Sequence, residues 1–172
     1  MITMRASITI ALVLVACEAE VAPALDAGLE VRPGEGIGPV HVGMRYADVR
    51  EALGPLEGAF TSERVAFGRY TSLGLEVVLV SSEDASVSDD AIVIGVGALQ
   101  SEGFVGPVVP GMRRDALVAA YGEPDDEAGE TALYREGFGV EHDGDVVSKV
   151  GVFRPYTHEP TPPAMARATG TR

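Results

Sequence analysis

Cys17 is the residue of this 172-residue chain whose position says most about its chemistry. It is the only cysteine, so its thiol cannot form an intramolecular disulfide. Arg5 places a positive charge near the start, and an apolar run from Ile8 to Ala16 ends directly before the thiol. This is the layout of a bacterial secretory signal. The run is too short to span a membrane as a helix, which takes about 20 residues.

The residues around this thiol resemble the lipobox of bacterial lipoproteins. Leu14, Val15 and Ala16 precede Cys17 directly. In that family the signal peptide is cleaved before the cysteine, here between Ala16 and Cys17, and the thiol takes a diacylglycerol. The resemblance implies an exported protein held to a membrane by acyl chains, of which two or three give stable anchoring. A plain signal peptide or a signal anchor is the alternative.

No other residues have the spacing of a catalytic or metal site. His41, His142 and His158 are scattered without metal-ligand spacing, and no Gly-x-Ser-x-Gly elbow occurs. Two acidic clusters lack the twelve-residue pattern of a calcium loop. They are Glu83, Asp84, Asp89 and Asp90, and Glu123, Asp125, Asp126, Glu127 and Glu130. We therefore predict no enzyme activity, no cofactor, no metal and no small-molecule substrate.

The charge balance narrows the classes of partner. The formal net charge is −13, so no basic patch can neutralise the phosphates of a nucleic acid or of a lipid surface. A basic protein or a cation is the complementary partner. The alternative is that the acidic surface only keeps an exported protein soluble.

The chain repeats itself at a spacing of 68 residues. Gly43-Met44-Arg45 recurs as Gly111-Met112-Arg113, and Gly54 recurs as Gly122. A match at a fixed spacing indicates duplication of one supersecondary unit. We read each copy as a short helix, over 45–53 and 113–121, with the glycine as a left-handed cap at its end.

Apolar, β-rich runs follow each predicted helix. They lie at 64–71, 75–81 and 91–99 in the first copy, and at 131–135, 138–142 and 146–153 in the second. These runs predict an α+β fold of two tandem units, each a helix plus a three-stranded antiparallel meander, with the helices on one sheet face. The domain boundaries are a signal peptide at 1–16, a tether at 17–33, units at 34–101 and 102–155, and a disordered tail at 156–172.

The two helix segments resemble one superfamily. Its members include the SmpA/OmlA-like lipoproteins of the outer-membrane protein assembly machine and the β-lactamase inhibitor protein, a tandem duplication. The matching residues are Gly43, Met44, Val49, Leu53, Gly54, Pro55, Gly111, Met112, Leu117, Tyr121, Gly122 and Pro124. The resemblance implies the fold predicted above and a function in binding protein surfaces.

Aromatic residues in or beside the strands are the candidate partner-binding side chains. Phe67, Tyr70, Tyr134 and Phe138 have this position. Aromatic side chains dominate the binding energy of protein interfaces, and a sheet with helices on one side leaves its other face for a partner. The alternative is that these four residues fill the core.

Together these patterns predict a non-enzymatic envelope lipoprotein that binds another envelope protein as an assembly or structural accessory. Glu18, rather than Asp, follows Cys17, which under the enterobacterial sorting pattern favours the outer membrane over the inner one. The alternative function is an inhibitor or immunity protein that blocks an exported enzyme or toxin.

Overall fold

Two sheets and two short helices make up residues 28–81 and 87–155, the part of the chain that the computed structural model describes. In chain order the elements are β1 (Leu29–Arg32), β2 (Gly36–Ile37), β3 (Val40–His41), α1 (Tyr46–Leu53), β4 (Gly58–Ser62), β5 (Val65–Tyr70), a 3₁₀ turn (Thr71–Leu73), β6 (Leu75–Val80), β7 (Ile92–Ala98), β8 (Phe104–Val105), α2 (Arg114–Tyr121), β9 (Asp126–Ala128), β10 (Thr131–Tyr134), β11 (Phe138–Asp143) and β12 (Val146–Phe153).

The larger sheet has eight antiparallel strands in the order β4-β5-β6-β7-β12-β11-β10-β9. Strands adjacent in sequence are adjacent in space, except at the centre, where β7 pairs with β12. There Val96 lies opposite Val152 and Gly97 opposite Gly151. This central pairing joins the strands that follow α1 and those that follow α2 into one continuous sheet.

The predicted α+β fold of two helix-plus-three-stranded units is wrong. Strands make up 46% of the described residues and helices 15%, so the protein is mostly β. The pattern missed β4 and β9, since neither Gly58–Ser62 nor Asp126–Ala128 has an apolar alternation. It also could not show that β7 and β12 pair, because the two strands are far apart in sequence.

A second sheet forms from part of the predicted tether and from segments of the two units to which we assigned no helix or strand. Its order is β3-β2-β1-β8, with β1 parallel to β8 and the other pairs antiparallel. Leu29 and Val31 of β1 are buried, so the predicted tether at 17–33 extends too far. From Leu29 onward this stretch belongs to the folded core.

The small sheet and the two helices lie on the same face of the large sheet. The small sheet contacts the central strands β7 and β12. After α1, the side chain of Leu56 lies against Gly68 of β5. On the α2 side, the ring of Tyr121 meets Phe138 edge-on at 4.8 Å, and Phe138 stacks on Tyr134 at 4.5 Å. Burial of these apolar groups supplies the main driving force for folding.

Both helices begin in the same way. The N–H of Gly43 donates to the carbonyl of Val93 (2.7 Å), and the N–H of Gly111 donates to that of Val147 (2.8 Å). Arg45 and Arg113 are the N-cap residues, and neither side chain caps its helix. In the first turn of each helix, the N–H of Tyr46 donates to the carbonyl of Ala91 and that of Arg114 to the carbonyl of Asp145, both at 2.8 Å. Backbone carbonyls of the segments before β7 and β12 therefore take the place of a capping hydroxyl.

Both helices also end in the same way, although not as predicted. Gly54 has φ 82° and ψ −173°, and Gly122 has φ 83° and ψ −167°. These angles lie in a region used almost solely by glycine and are not those of a left-handed helical cap. Glycine is still the favoured residue at both helix ends, but the chain leaves each helix in an extended conformation rather than through a left-handed cap.

Candidate functional site

The face of the large sheet opposite the helices and the small sheet is called here the open face. Strand β6 defines the two sides by alternation. Leu75, Val77 and Leu79 are buried under the covering layer, whereas Glu76 and Val78 point to the other side and are only partly buried. An apolar side chain on this second side has no layer of the described structure above it.

Three adjoining depressions cross the open face and form one groove. The first, about 460 Å³, lies over β4–β6, the second, about 270 Å³, over β6, β7 and β12, and the third, about 310 Å³, over β7 and β10–β12. Glu76 lines all three. The larger apolar side chains that line the groove without being fully buried are Phe60, Phe67, Val78, Ile94, Leu99, Leu133 and Phe153.

Three glycines lie side by side on the floor of the third depression. Gly151 pairs with Gly97 on one side and with Gly139 on the other. A Cβ at Gly151 would meet nothing closer than the Gly139 oxygen at 4.0 Å, and one at Gly97 nothing closer than 3.7 Å. Glycine weakens a strand interior by roughly 0.5–1 kcal/mol relative to alanine. The fold has room for side chains at Gly97 and Gly151. Because glycine has none, the backbone itself forms the floor of the depression there.

Two ion pairs lie across strands beside the groove. Arg69 contacts Glu76 at 3.0 Å, and Lys149 contacts Glu141 at 2.7 Å. In each pair the two residues are directly opposite in neighbouring strands. Because the basic side chains are exposed, each pair contributes at most about 1 kcal/mol to stability. The pairs place charge beside an otherwise apolar surface.

Three of the four aromatic residues predicted to bind a partner do not lie on the open face. Tyr70, Tyr134 and Phe138 are buried on the covered side, so the prediction is wrong for them and the core alternative is correct. The Tyr70 hydroxyl donates to the carbonyl of Gly54 (3.0 Å), and burial raises its pKa to about 12. Phe67 lies in the groove, and its ring centroid is 6.1 Å from that of Phe60.

Sequence reasoning missed Phe60 and Ile94. Phe60 is 65% exposed and Ile94 is 43% exposed, both unusual for large apolar residues. The available signal at Ile94 was the unbroken apolar run Ile92-Val93-Ile94, which marks a strand apolar on both faces. Phe60 carried no such signal, because no strand was predicted around it.

The histidines and acidic residues considered for catalysis or metal binding do not lie together in one site. His41 is exposed, and the Nε2 atom of His142 is buried without a hydrogen-bond partner. Desolvation first, and then the charge of Arg114, lower the pKa of His142. Asp89 pairs with Arg50 at 2.7 Å, and Asp125 pairs with Arg135. Within the described ranges, no three His, Cys, Asp or Glu side chains lie close enough to hold a metal ion.

Several predicted residues lie outside the described ranges. They are Ala16, Cys17, His158, Glu83 and Asp84. The signal peptide, its cleavage site and the predicted tail at 156–172 are outside them as well.

Neither helix of the described chain has the length and apolar character needed to span a membrane.

Comparison with protein-family models, with curated proteins and with solved structures gives no match. The resemblance of the helix segments to the SmpA/OmlA-like and inhibitor superfamily therefore stays a prediction.

Proposed function

We propose that this protein is a non-enzymatic lipoprotein of the bacterial envelope that binds another envelope protein through the groove of its open face. The observation that carries the proposal is the groove itself. It holds large apolar side chains of an acidic protein in contact with solvent. Contiguous exposed apolar surface on a soluble domain marks an interaction site.

Phe60 and Ile94 are the anchors that we assign to this interface. They lie in adjoining depressions and stand 65% and 43% exposed. A rigid aromatic or branched side chain that becomes buried on association contributes much of the binding energy of an interface. The low glycine floor beside them gives a projecting side chain of the partner room to approach the backbone.

The lipid anchor is the second part of the proposal. Ten residues separate Cys17 from Gly28, where the described chain begins. At most about 3.6 Å per residue, that stretch holds the folded part within roughly 40 Å of the lipid. A partner in the same membrane, or close to it, is therefore within reach of the groove.

Crosslinked affinity capture from cells tests this function. Native lipidated protein is compared with Ile94→Asp, which puts a charge into the groove. The matched control is Val105→Asp, because Val105 of β8 is similarly exposed (46%) but lies outside the groove. We expect a membrane-associated partner that is recovered with native protein and with the control, and at least tenfold less with Ile94→Asp.

Equal recovery with Ile94→Asp would contradict binding through the groove. Recovery of one soluble hydrolase or toxin in equimolar amount would instead favour the inhibitor or immunity function. Circular dichroism spectra of all three proteins check that each is folded.

A further inference from the structure

Strand β4 is an outer strand of the large sheet whose outer edge is open. All five of its residues, Gly58–Ser62, are exposed. Across residues 28–81 and 87–155, β5 is the strand that pairs with β4, and none pairs with its outer side. The N–H and C=O groups of that side therefore point away from the sheet, ready to pair with another extended backbone.

The two outer strands of this sheet differ in how they are protected. Strand β9 carries Asp126 and Glu127, and such charges discourage another chain from pairing with an edge. Strand β4 reads Gly-Ala-Phe-Thr-Ser, with neither a charge nor a proline. The same sheet thus blocks one edge and leaves the other available.

The side chains next to this edge define what can bind it. Phe60 is at the middle of β4, and its ring and that of Phe67 line the depression of about 460 Å³. A strand added to β4 would place a residue about 5 Å from Phe60 on the open face. An apolar side chain at that position would cover Phe60 and enter the groove.

Charge decides between a second copy and a different partner. At the two ends of β4, Glu57 and Glu63 lie near Arg69 and Arg64, so the charges beside the strand balance. The chain as a whole has a formal net charge of −13. A second copy would bring the same net negative charge close to the first, which is unfavourable. A cationic segment is attracted to it.

We infer that β4 binds an extended, cationic segment of a partner protein by strand addition, with an apolar side chain of that segment packed on Phe60. The inference rests on the proposed function and names how the partner is held. Backbone hydrogen bonds along β4 supply the affinity, while the groove and the net negative charge of the protein supply selectivity.

A designed peptide tests this inference without knowledge of the partner. The probe is acetyl-Lys-Val-Lys-Phe-Lys-Val-Lys-amide, and the charge control replaces each Lys with Glu. Two further peptides carry N-methyl groups on alternate residues, in the two complementary sets. In an added strand only one set of N–H groups faces β4, so one methylated peptide should bind like the parent and the other should bind at least tenfold more weakly.

Chemical-shift changes of the protein's backbone amide resonances report where the peptide binds. We expect shifts centred on Gly58–Ser62 and slower hydrogen exchange of β4 amides with the lysine peptide, and neither with the glutamate peptide. Equal weakening by both methylated sets, or shifts that leave β4 unchanged, would overturn strand addition. Dimerisation of the protein alone with protection of β4, seen by sedimentation and hydrogen exchange, would assign the edge to a second copy instead.

A pair of variants separates this inference from the proposed function. Thr61→Lys adds a repelling charge to β4 and should weaken the lysine peptide at least fivefold. Ala116→Lys adds the same charge to the exposed surface of α2 and should leave binding unchanged. If Thr61→Lys binds the peptide as well as native protein does, the inference fails. The proposed function is tested separately, by capture of the partner with native protein and with Ile94→Asp.

Discussion

At the ends of α1 and α2, single glycines let the chain turn back toward the sheet. The N–H of Gly54 donates to the carbonyl of Arg50 and that of Gly122 to Val118, both at 2.8 Å, so each closes the last turn of its helix. Each then leaves with positive φ and an extended ψ. A side chain at such angles collides with its own backbone, although no other atom lies within 4 Å of either position.

Gly54→Val and Gly122→Val should each lower the free energy of unfolding by about 1–3 kcal/mol, the usual strain of such a conformation. Gly58→Val is the matched control, because Gly58 also has open space around its Cβ position but lacks a positive φ. Urea denaturation measures all three. Equal stability of the three variants would contradict the backbone explanation.

His142 makes the folded state sensitive to mild acid. Its pKa is lowered in the folded protein, so below about pH 6.5 the unfolded chain binds a proton more readily than the folded chain. The contribution of His142 to stability is therefore present above that pH and is lost as the pH falls through it.

We expect His142→Gln to lessen the fall in stability between pH 7.5 and pH 5.5, measured by urea denaturation at each pH. His41→Gln is the control, because His41 is exposed. A pH profile of His142→Gln parallel to that of native protein would show that desolvation of His142 is not linked to folding.

At the scale of elements, glycines in the strands serve different purposes on the two faces. Gly68 of β5 lies on the covered face, where a Cβ would come within 2.6 Å of the Leu56 side chain. Gly151 of β12 lies on the open face, where the nearest atom would be 4.0 Å away. A side chain at the first position would therefore have to displace Leu56, whereas one at the second position has room.

Gly151→Val should leave stability unchanged or raise it, because valine favours strands and has room there. Gly68→Val should lower the free energy of unfolding by about 1–3 kcal/mol, the usual result of overpacking. Thermal unfolding compares them. Because valine would raise the groove floor, Gly151→Val should also weaken capture of the partner, and a destabilised Gly151→Val would contradict this account of the floor.

At the scale of the whole molecule, the two faces of the large sheet differ in what covers them. One face packs against the helices and the small sheet, and the core lies between these layers. The other face holds the groove, and its outer strand β4 continues the groove to the edge of the sheet. In this arrangement the side chains of the groove can change while the core stays packed.

Cys17→Ser should move the protein from the membrane fraction to the soluble periplasmic fraction, because the acyl chains that we propose as its anchor attach to that thiol. Fractionation and immunoblotting of native and variant protein measure this. Persistence of the variant in the membrane after a high-salt wash would favour an uncleaved signal anchor over lipidation.

Local sequence patterns correctly predicted those strands and helices whose apolar residues recur at a regular spacing. Both helices begin one residue after the predicted start, and Val146–Phe153 was predicted as it stands. Asp143-Gly144, a turn-forming pair between two predicted strands, makes a tight hairpin with Asp143 opposite Val146 and Gly144 at φ 59°. These features depend on neighbours in sequence, such as turn residues and apolar alternation.

The sequence by itself determined the lone thiol after an apolar run, the repeated helix segments and the main strands, because each is a local property. Only the tertiary structure decided that β7 pairs with β12, that β1 and β8 build a second sheet, and that Tyr70, Tyr134 and Phe138 face the core. The partners in these pairings are distant in sequence, and a strand's alternation alone does not say which of its faces another layer will cover. The groove around Phe60 and Ile94 exists because the covering layer formed on the opposite side.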